Sequence, residues 1–276
     1  MRGTALTPLA LFLILSACSN APAPPAKGTP AFYWQAAQET FSAGDYRKTN
    51  DHLEQLIKTN NEFTERGKAW RMVVLSGLLR GNLDVAEKFE YGARENKQNP
   101  APFRKQMNDV RSVASNLATQ LLETWQKMKA DKPAEVLLDF PFPPGNAAQV
   151  AALIQVSKGI LLPSAEIETA TKQALQRGVV LATTKAAGAE DAASARVQFS
   201  TRPVKVSGPA FRMAVADTFY EASTLFDSRR LDRPDVMKML LTEASEALAD
   251  APEGKPKKEL AGKIQDALKK SAKKSS

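Results

Sequence analysis

Residues 103–128 read FRKQMNDVRSVASNLATQLLETWQKM. Phe103, Met107, Val110, Val113, Leu117, Leu121, Trp125 and Met128 recur every three or four positions, the spacing that lines up one face of a long α-helix. The same periodicity returns downstream at Phe211, Val215, Phe219, Ala222 and Phe226, and again at Val236, Met237, Leu240, Leu241, Ala244 and Leu248. Pro234, two residues after Asp232, is placed to open that last helix, because the first turn needs no N–H from it. Between the first stripe and the others, Phe140 to Asn146 (FPFPPGN) reads as a loop, with Asn146 available to cap a helix beginning at Ala147. A helical hairpin is expected there, Ala147 to Gly159 and about Ser164 to Thr184, joined through Leu161, Leu162 and Pro163. Lys185 to Ala195 is small and polar, a loop or a frayed helix end. Val197 to Val206 alternates enough for a short ribbon, which Pro203 would confine to an edge. The body is therefore expected to be all-α, with a soft boundary at the 140–146 loop.

Upstream of the long stripe the chain resembles itself. Aligning Gly44 with Gly81 places Tyr33 on Trp70, Ala36 on Val73, Ala37 on Val74, Phe41 on Leu78, Gly44-Asp45-Tyr46 on Gly81-Asn82-Leu83, Thr49 on Ala86 and Leu56 on Ala93. Glycine permits a left-handed helix exit, and small residues such as Ala86 and Ala93 let paired helices approach closely. The pattern resembles the tetratricopeptide repeat, a helix pair with an early aromatic, small crossing residues and a Gly-polar-aromatic turn. Thr49, Leu56, Gly77 and Glu90 depart from it, and the likeness covers only residues 30–100. The resemblance implies helical hairpins stacked as a superhelical array, closed by the long helix from Pro102 onward; a plain pair of helical hairpins is the alternative. On this reading residues 31–139 form the repeat-like domain and residues 140–252 a C-terminal helical region.

The chain opens Met1-Arg2-Gly3, followed by apolar residues from Ala5 to Leu15 interrupted by Thr7 and Pro8, then Ser16, Ala17 and Cys18. A stretch of about a dozen residues is too short for a hydrocarbon core that needs about 20 helical residues, so residues 1–17 read as a secretion signal. Leu15-Ser16-Ala17-Cys18 resembles the bacterial lipobox. The resemblance implies cleavage between Ala17 and Cys18, diacylglyceryl and N-acyl groups on Cys18, and no other cofactor. A thiolate is the side chain nucleophilic enough to take such a group under mild conditions, and Cys18 is the one cysteine of the chain. Ser19, rather than Asp, is the residue type that the resemblance associates with the outer membrane, facing the periplasm, of a cell with two membranes. Residues 18–30 continue as SNAPAPPAKGTP after the cysteine, an extended spacer at about 3 Å per residue that holds a folded body roughly 35 Å from the bilayer.

The formal charge of +8 invites a nucleic-acid reading, which its distribution removes. Arg2 leaves with the signal, and residues 253–276 hold eight Lys against three acids, a net of +5, so the intervening body carries +2. With one cysteine, no disulfide supports the body. His52 is the lone histidine and lacks partners for a triad or a zinc site. Asp217/Glu221 and Glu246/Asp250, each four apart, are the remaining route to a wall hydrolase working by acid–base chemistry, though such spacings are common on solvated helix faces. Neither pair is read as catalytic, and no metal site is expected. Two basic features are candidate partner-binding sites. Arg229, Arg230 and Arg233 crowd one interhelical turn, where forked donors grip a carboxylate or phosphate. Lys257, Lys258, Lys263, Lys269 and Lys270 surround Leu260, Ile264 and Leu268 in a basic tail, residues 253–276, read either as a capping helix with a disordered end or as an arm for peptidoglycan carboxylates or anionic glycolipid. The expected function is a non-enzymatic, lipid-tethered scaffold for an envelope protein partner, similar in plan to the repeat-bearing lipoproteins of outer-membrane assembly and pilus secretin systems. Binding of anionic envelope polymer through the tail is the alternative.

Overall fold

A computed structural model describes residues 24–272. The chain is mostly helical. Pro30–Ser42 (α1) and Tyr46–Leu56 (α2) form the first hairpin. Thr29 caps α1, its hydroxyl accepting the Phe32 N–H at 3.2 Å, and Pro30 is already inside the helix rather than the last linker residue. At the exit, Gly44 adopts φ +73° while its N–H reaches the Phe41 carbonyl and that of Asp45 reaches Thr40. This left-handed step is the one the Gly-polar-aromatic turn anticipates. Asp45 then caps α2 through the Lys48 N–H. Burial disfavours its carboxylate, but the bonds and charge of Lys48 outweigh that and hold its pKa below the ordinary value.

The second expected hairpin does not form. Thr64–Glu95 (α3) is one helix of 32 residues, running straight through Gly81-Asn82-Leu83. Asn82 turns its amide back onto the Leu78 carbonyl at 2.7 Å, satisfying itself within the helix instead of breaking it. Gly77 and Gly81 serve as a crossing surface. A Cβ on Gly77 would lie 2.5 Å from the Cα of Val179, and one on Gly81 would lie 2.7 Å from the Ala174 carbonyl oxygen, so Ser164–Ala186 (α6) packs directly on the α3 backbone. Every residue from Ala69 to Leu79 is buried, because α3 is covered by Ala101–Lys129 (α4) on one side, by α6 on another, and by α2 and the strand Glu135–Leu138 (β1) near its start. The charged exception, Arg71, is met by Asn50 at 3.2 Å and Glu54 at 3.0 Å from α2, and by Gln120 at 3.4 Å from α4.

Ala101–Lys129 (α4) is the long helix of the stripe. Its inner face turns slightly from the expected one: Ala114 and Ala118 are buried with Leu117, Leu121, Trp125 and Met128, whereas Val113 is 40% exposed. Glu135–Leu138 (β1) follows and pairs antiparallel with Val204–Ser207 (β2), with Val136 opposite Val206 and Leu138 opposite Val204. The expected ribbon over Val197–Val206 is thus confined to its last residues, because Val197 belongs to a helix. Ala151–Ser157 (α5) begins later than Ala147: the Asn146 side chain accepts the Ala148 N–H in a local turn, and Val150 stands at the helix entrance. Lys185 to Ala195 holds the end of α6, a turn at Gly188, and the start of Ala192–Gln198 (α7), whose N-terminus Asp191 caps through the Ser194 N–H at 2.7 Å.

Gly208–Ser223 (α8), Pro234–Ala249 (α9) and Lys255–Ala272 (α10) complete the fold. Residues from both sides of the 140–146 loop enter the larger of two core clusters, including Trp70, Leu121, Phe140, Phe219 and Leu248. A smaller cluster around Phe89, Phe103 and Val156 lies between α3, α4, α5 and α6. Leu260 and Ile264 of α10 are buried in the larger cluster, so residues 255–272 are a packed helix of the body and not a detachable tail. The folded residues consequently carry +5, since only Arg2, Lys273 and Lys274 among the charged residues lie outside them. Gly262 on α10 has open space where a Cβ would stand. Gly262→Ala is expected to raise stability by about 0.5–1 kcal/mol through the lower backbone entropy of the unfolded chain; a urea midpoint that does not rise contradicts this.

Candidate functional site

Ala17 and Cys18, the expected cleavage and lipidation positions, lie outside the described residues. The remaining expected site residues fall on the turn between α8 and α9 and on α10, and Lys270 at the end of α10 lines a small concavity with Asp227, Ser228 and Asp232 of that turn. In the turn between α8 and α9, Asp227 organises the backbone, its carbonyl accepting the Arg230 and Asp232 N–H groups and its carboxylate that of Arg229. Arg230 is half-buried and donates to the Thr224 hydroxyl at 3.2 Å. Arg233 forks onto Asp235 at 3.1 and 2.8 Å. Two of the three guanidinium groups therefore already hold partners, and Arg229 stands exposed. Lys257 is committed too: its ammonium donates to the carbonyls of Ala249 and Ala251 and to Glu253, closing the C-terminus of α9. Lys258, Lys263, Lys269 and Lys270 remain exposed on the outer face of α10.

The carboxylate pairs are also engaged. Glu221 accepts from Arg80 on α3, and Asp217 from Arg80 and from Lys185 on α6, so this cluster ties α8 to both helices. The space beside Arg80, Lys185 and Thr218 is only about 10 Å³, too little for a sugar ring. Glu246 and Asp250 pair with Lys129 at 3.1 Å and Lys132 at 3.3 Å. His52 is half-buried with its ring 6.4 Å from that of Tyr33. Among the described residues no group of three His, Cys, Asp or Glu side chains is placed to hold a metal, and no helix is long and apolar enough to cross a membrane.

Among the described residues a concavity of about 310 Å³ lies beside Asn146, Gln176 and Arg177, and two others offer more room for a ligand. The larger, about 730 Å³, opens between the start of α2, the middle of α4 and the first half of α6. Arg47, Glu168 and Lys172 stand at its mouth, and Tyr46, Val110 and Leu175 line its inner part. The Tyr46 hydroxyl is buried and has no hydrogen-bond partner, and burial pushes the phenol well above its ordinary pKa. The second, about 430 Å³, lies between α4, β1, α8 and α9. Trp125, Met128, Val136, Phe211 and Ala247 form its apolar wall, and Lys129, Lys132, Arg212, Glu246 and Asp250 its polar side. Glu243 lies behind Lys129 and is itself buried, accepting from the Trp125 indole at 2.9 Å and from Lys129 at 3.0 Å. Burial would lower the Lys129 pKa, but hydrogen bonds to Glu243 and Glu246 more than reverse it, so this ammonium is held charged.

Sequence reasoning missed both concavities, because each is assembled from helices far apart in the chain. Composition offered one usable hint, an arginine directly after a core aromatic at Phe211-Arg212. No family model, curated protein or solved structure matches the chain.

Proposed function

We propose that this chain is a lipid-anchored helical scaffold of a bacterial envelope, attached through Cys18 and binding a segment of another envelope protein in the groove between α2, α4 and α6. The order Leu15-Ser16-Ala17-Cys18 and the proline-rich spacer behind it support the anchor. The observation that carries the binding role is the groove itself: a wide, mixed-polarity concavity with both charge signs at its mouth and apolar Val110 and Leu175 within, suited to the alternating polar and apolar groups of a polypeptide. The repeat-like likeness now rests on the α1–α2 hairpin packed against α3, with α3, α4 and α6 continuing the stack as long helices.

A photoreactive residue at Arg47 or at Lys172, both exposed, is expected to crosslink the same envelope protein in intact cells, and one at Lys263 on the far face is expected not to. No adduct from either groove position, or different adducts from the two, sinks the binding role. In the same cells Cys18→Ala is expected to move the protein from the membrane fraction to the soluble one; retention in the membrane removes the anchor from the proposal.

The exposed Lys258, Lys263, Lys269 and Lys270 favour one second reading, contact with anionic envelope polymer along the outer face of α10. Its test is replacement of those four lysines by glutamine followed by cosedimentation with purified cell wall at low and high salt. Truncation after Glu253 is unsuitable, since it also removes Leu260 and Ile264 from the core.

A further inference from the structure

The geometry points to the cavity beside Arg212 as a binding site for a small amphipathic monocarboxylate, whose carboxylate meets the Arg212 guanidinium and whose apolar body lies on Trp125, Met128 and Phe211. The inference does not depend on the envelope reading.

Arg212 is the reason to expect an anion. Its side chain is only 13% exposed, and its one ionic neighbour is Asp250, at 3.9 Å from Nε, beyond hydrogen-bonding distance. Its Nε is buried and donates to nothing. A guanidinium carries five N–H donors in a rigid fork, and leaving even one unmet inside a protein is costly. The contrast with the other enclosed arginines is sharp, because Arg71, Arg80 and Arg111 each donate to a carboxylate. Asp250 does not serve Arg212 in the same way, since it pairs with Lys132 at 3.3 Å.

The rim decides the charge of the ligand. Lys129 is answered by Glu243 and Glu246, and Lys132 by Asp250, so Arg212 is the one cation of the rim without a hydrogen-bonded carboxylate. A single carboxylate gives that guanidinium a partner, whereas a phosphate dianion would bring a second negative charge against Glu246 and Asp250. The wall decides the body. Trp125, Met128 and Phe211 line the same cavity as Arg212, so a carboxylate held by the fork has apolar surface within the cavity for its body, and the volume of about 430 Å³ lies within the range of small-molecule pockets.

Octanoate, octan-1-ol and acetate separate the parts of the ligand. By titration calorimetry on the whole protein, octanoate is expected to bind saturably and at least about tenfold more tightly than either octan-1-ol, which lacks the charge, or acetate, which lacks the body. Arg212→Gln is expected to weaken octanoate by about tenfold or more while leaving octan-1-ol unchanged. The Nε–H resonance of Arg212 in the unsubstituted protein supplies a readout that needs no variant, and it is expected to move on adding octanoate and to stay still on adding octan-1-ol. Equal affinity for octanoate and octan-1-ol, no saturable octanoate binding, or a stationary Arg212 resonance each overturns the proposal.

Discussion

Gly178→Ala is expected to destabilise the fold by about 3 kcal/mol or more, although it adds one methyl group and alanine is the better helix former. A Cβ at Gly178 would lie 2.1 Å from the carbonyl oxygen of Gly77 and 2.8 Å from the amide nitrogen of Gly81. Both are backbone atoms of α3, and neither can swing aside as a side chain does. Relief requires α3 and α6 to separate, and separation withdraws Val179 and Leu175 from the contacts that bury them. The opposite sign expected for Gly262→Ala makes the comparison informative. The two substitutions are chemically identical and both lie in helices, so propensity predicts the same gain for each. Urea unfolding measures the difference directly. A Gly178→Ala midpoint equal to that of the unsubstituted protein would mean that α3 and α6 are not in backbone contact.

Phe140→Ala is expected to cost about 3–5 kcal/mol. Phe140 lies in the loop that reads, from sequence, as the break between two helical regions, yet it is fully buried. Its ring stacks on that of Trp70 with centroids 4.5 Å apart and planes inclined by 12°, and it also meets Trp34 at 4.9 Å and Phe41 at 5.2 Å. The neighbouring Asp139 reinforces the same attachment, accepting the Trp70 indole N–H at 3.0 Å and an Arg66 N–H at 2.9 Å. Truncation therefore opens a hole at the meeting point of α1, α3 and the loop, where rigid aromatic rings leave little scope for collapse. The near-ultraviolet dichroism of Trp70 is expected to weaken along with the lowered urea midpoint. A loss below about 1 kcal/mol would show that the loop is an ordinary surface connection.

The two positions mark where local reading and packing part company. The stripes that became α4 and α9 were legible because each helix has one buried and one solvated face, and that of α8 because its fully buried positions alternate with half-buried ones, so a period near 3.6 survives in the sequence. Pro234 entered its helix at the first turn, and Gly44 took the left-handed exit. Helix α3 escaped the same reading because its middle is buried all round, so WRMVVLSGLL carries no polar face to set a phase. Gly81-Asn82 looks like a turn for a sound reason, since glycine serves both left-handed exits and close crossings. Only the presence of α6 against Gly77 and Gly81 selects the second use. Helix α10 shows the converse: Leu260, Ile264 and Leu268 share a face, and the lysines around them left open whether that face found a partner.

The candidate binding groups divide along the same line. Residue type marked Arg229, Arg230, Arg233 and Lys257 as available cations, but Thr224, Asp235, Glu253 and the end of α9 occupy three of the four. Arg212 drew no notice in a stripe defined by Phe211 and Val215, and it is the enclosed arginine that no carboxylate grips. The sequence by itself determined the helical class, some helix ends, among them Gly44, Pro234 and the bounds of α6, and the lipobox-like start, because capping, proline placement, amphipathic period and a short peptide motif are all local. Tertiary structure alone decided that α3 is continuous, that residues 255–272 belong to the core, and which cations are free. Each of these depends on which atoms of distant segments come within a few ångströms of one another, and one-dimensional spacing carries no record of that distance.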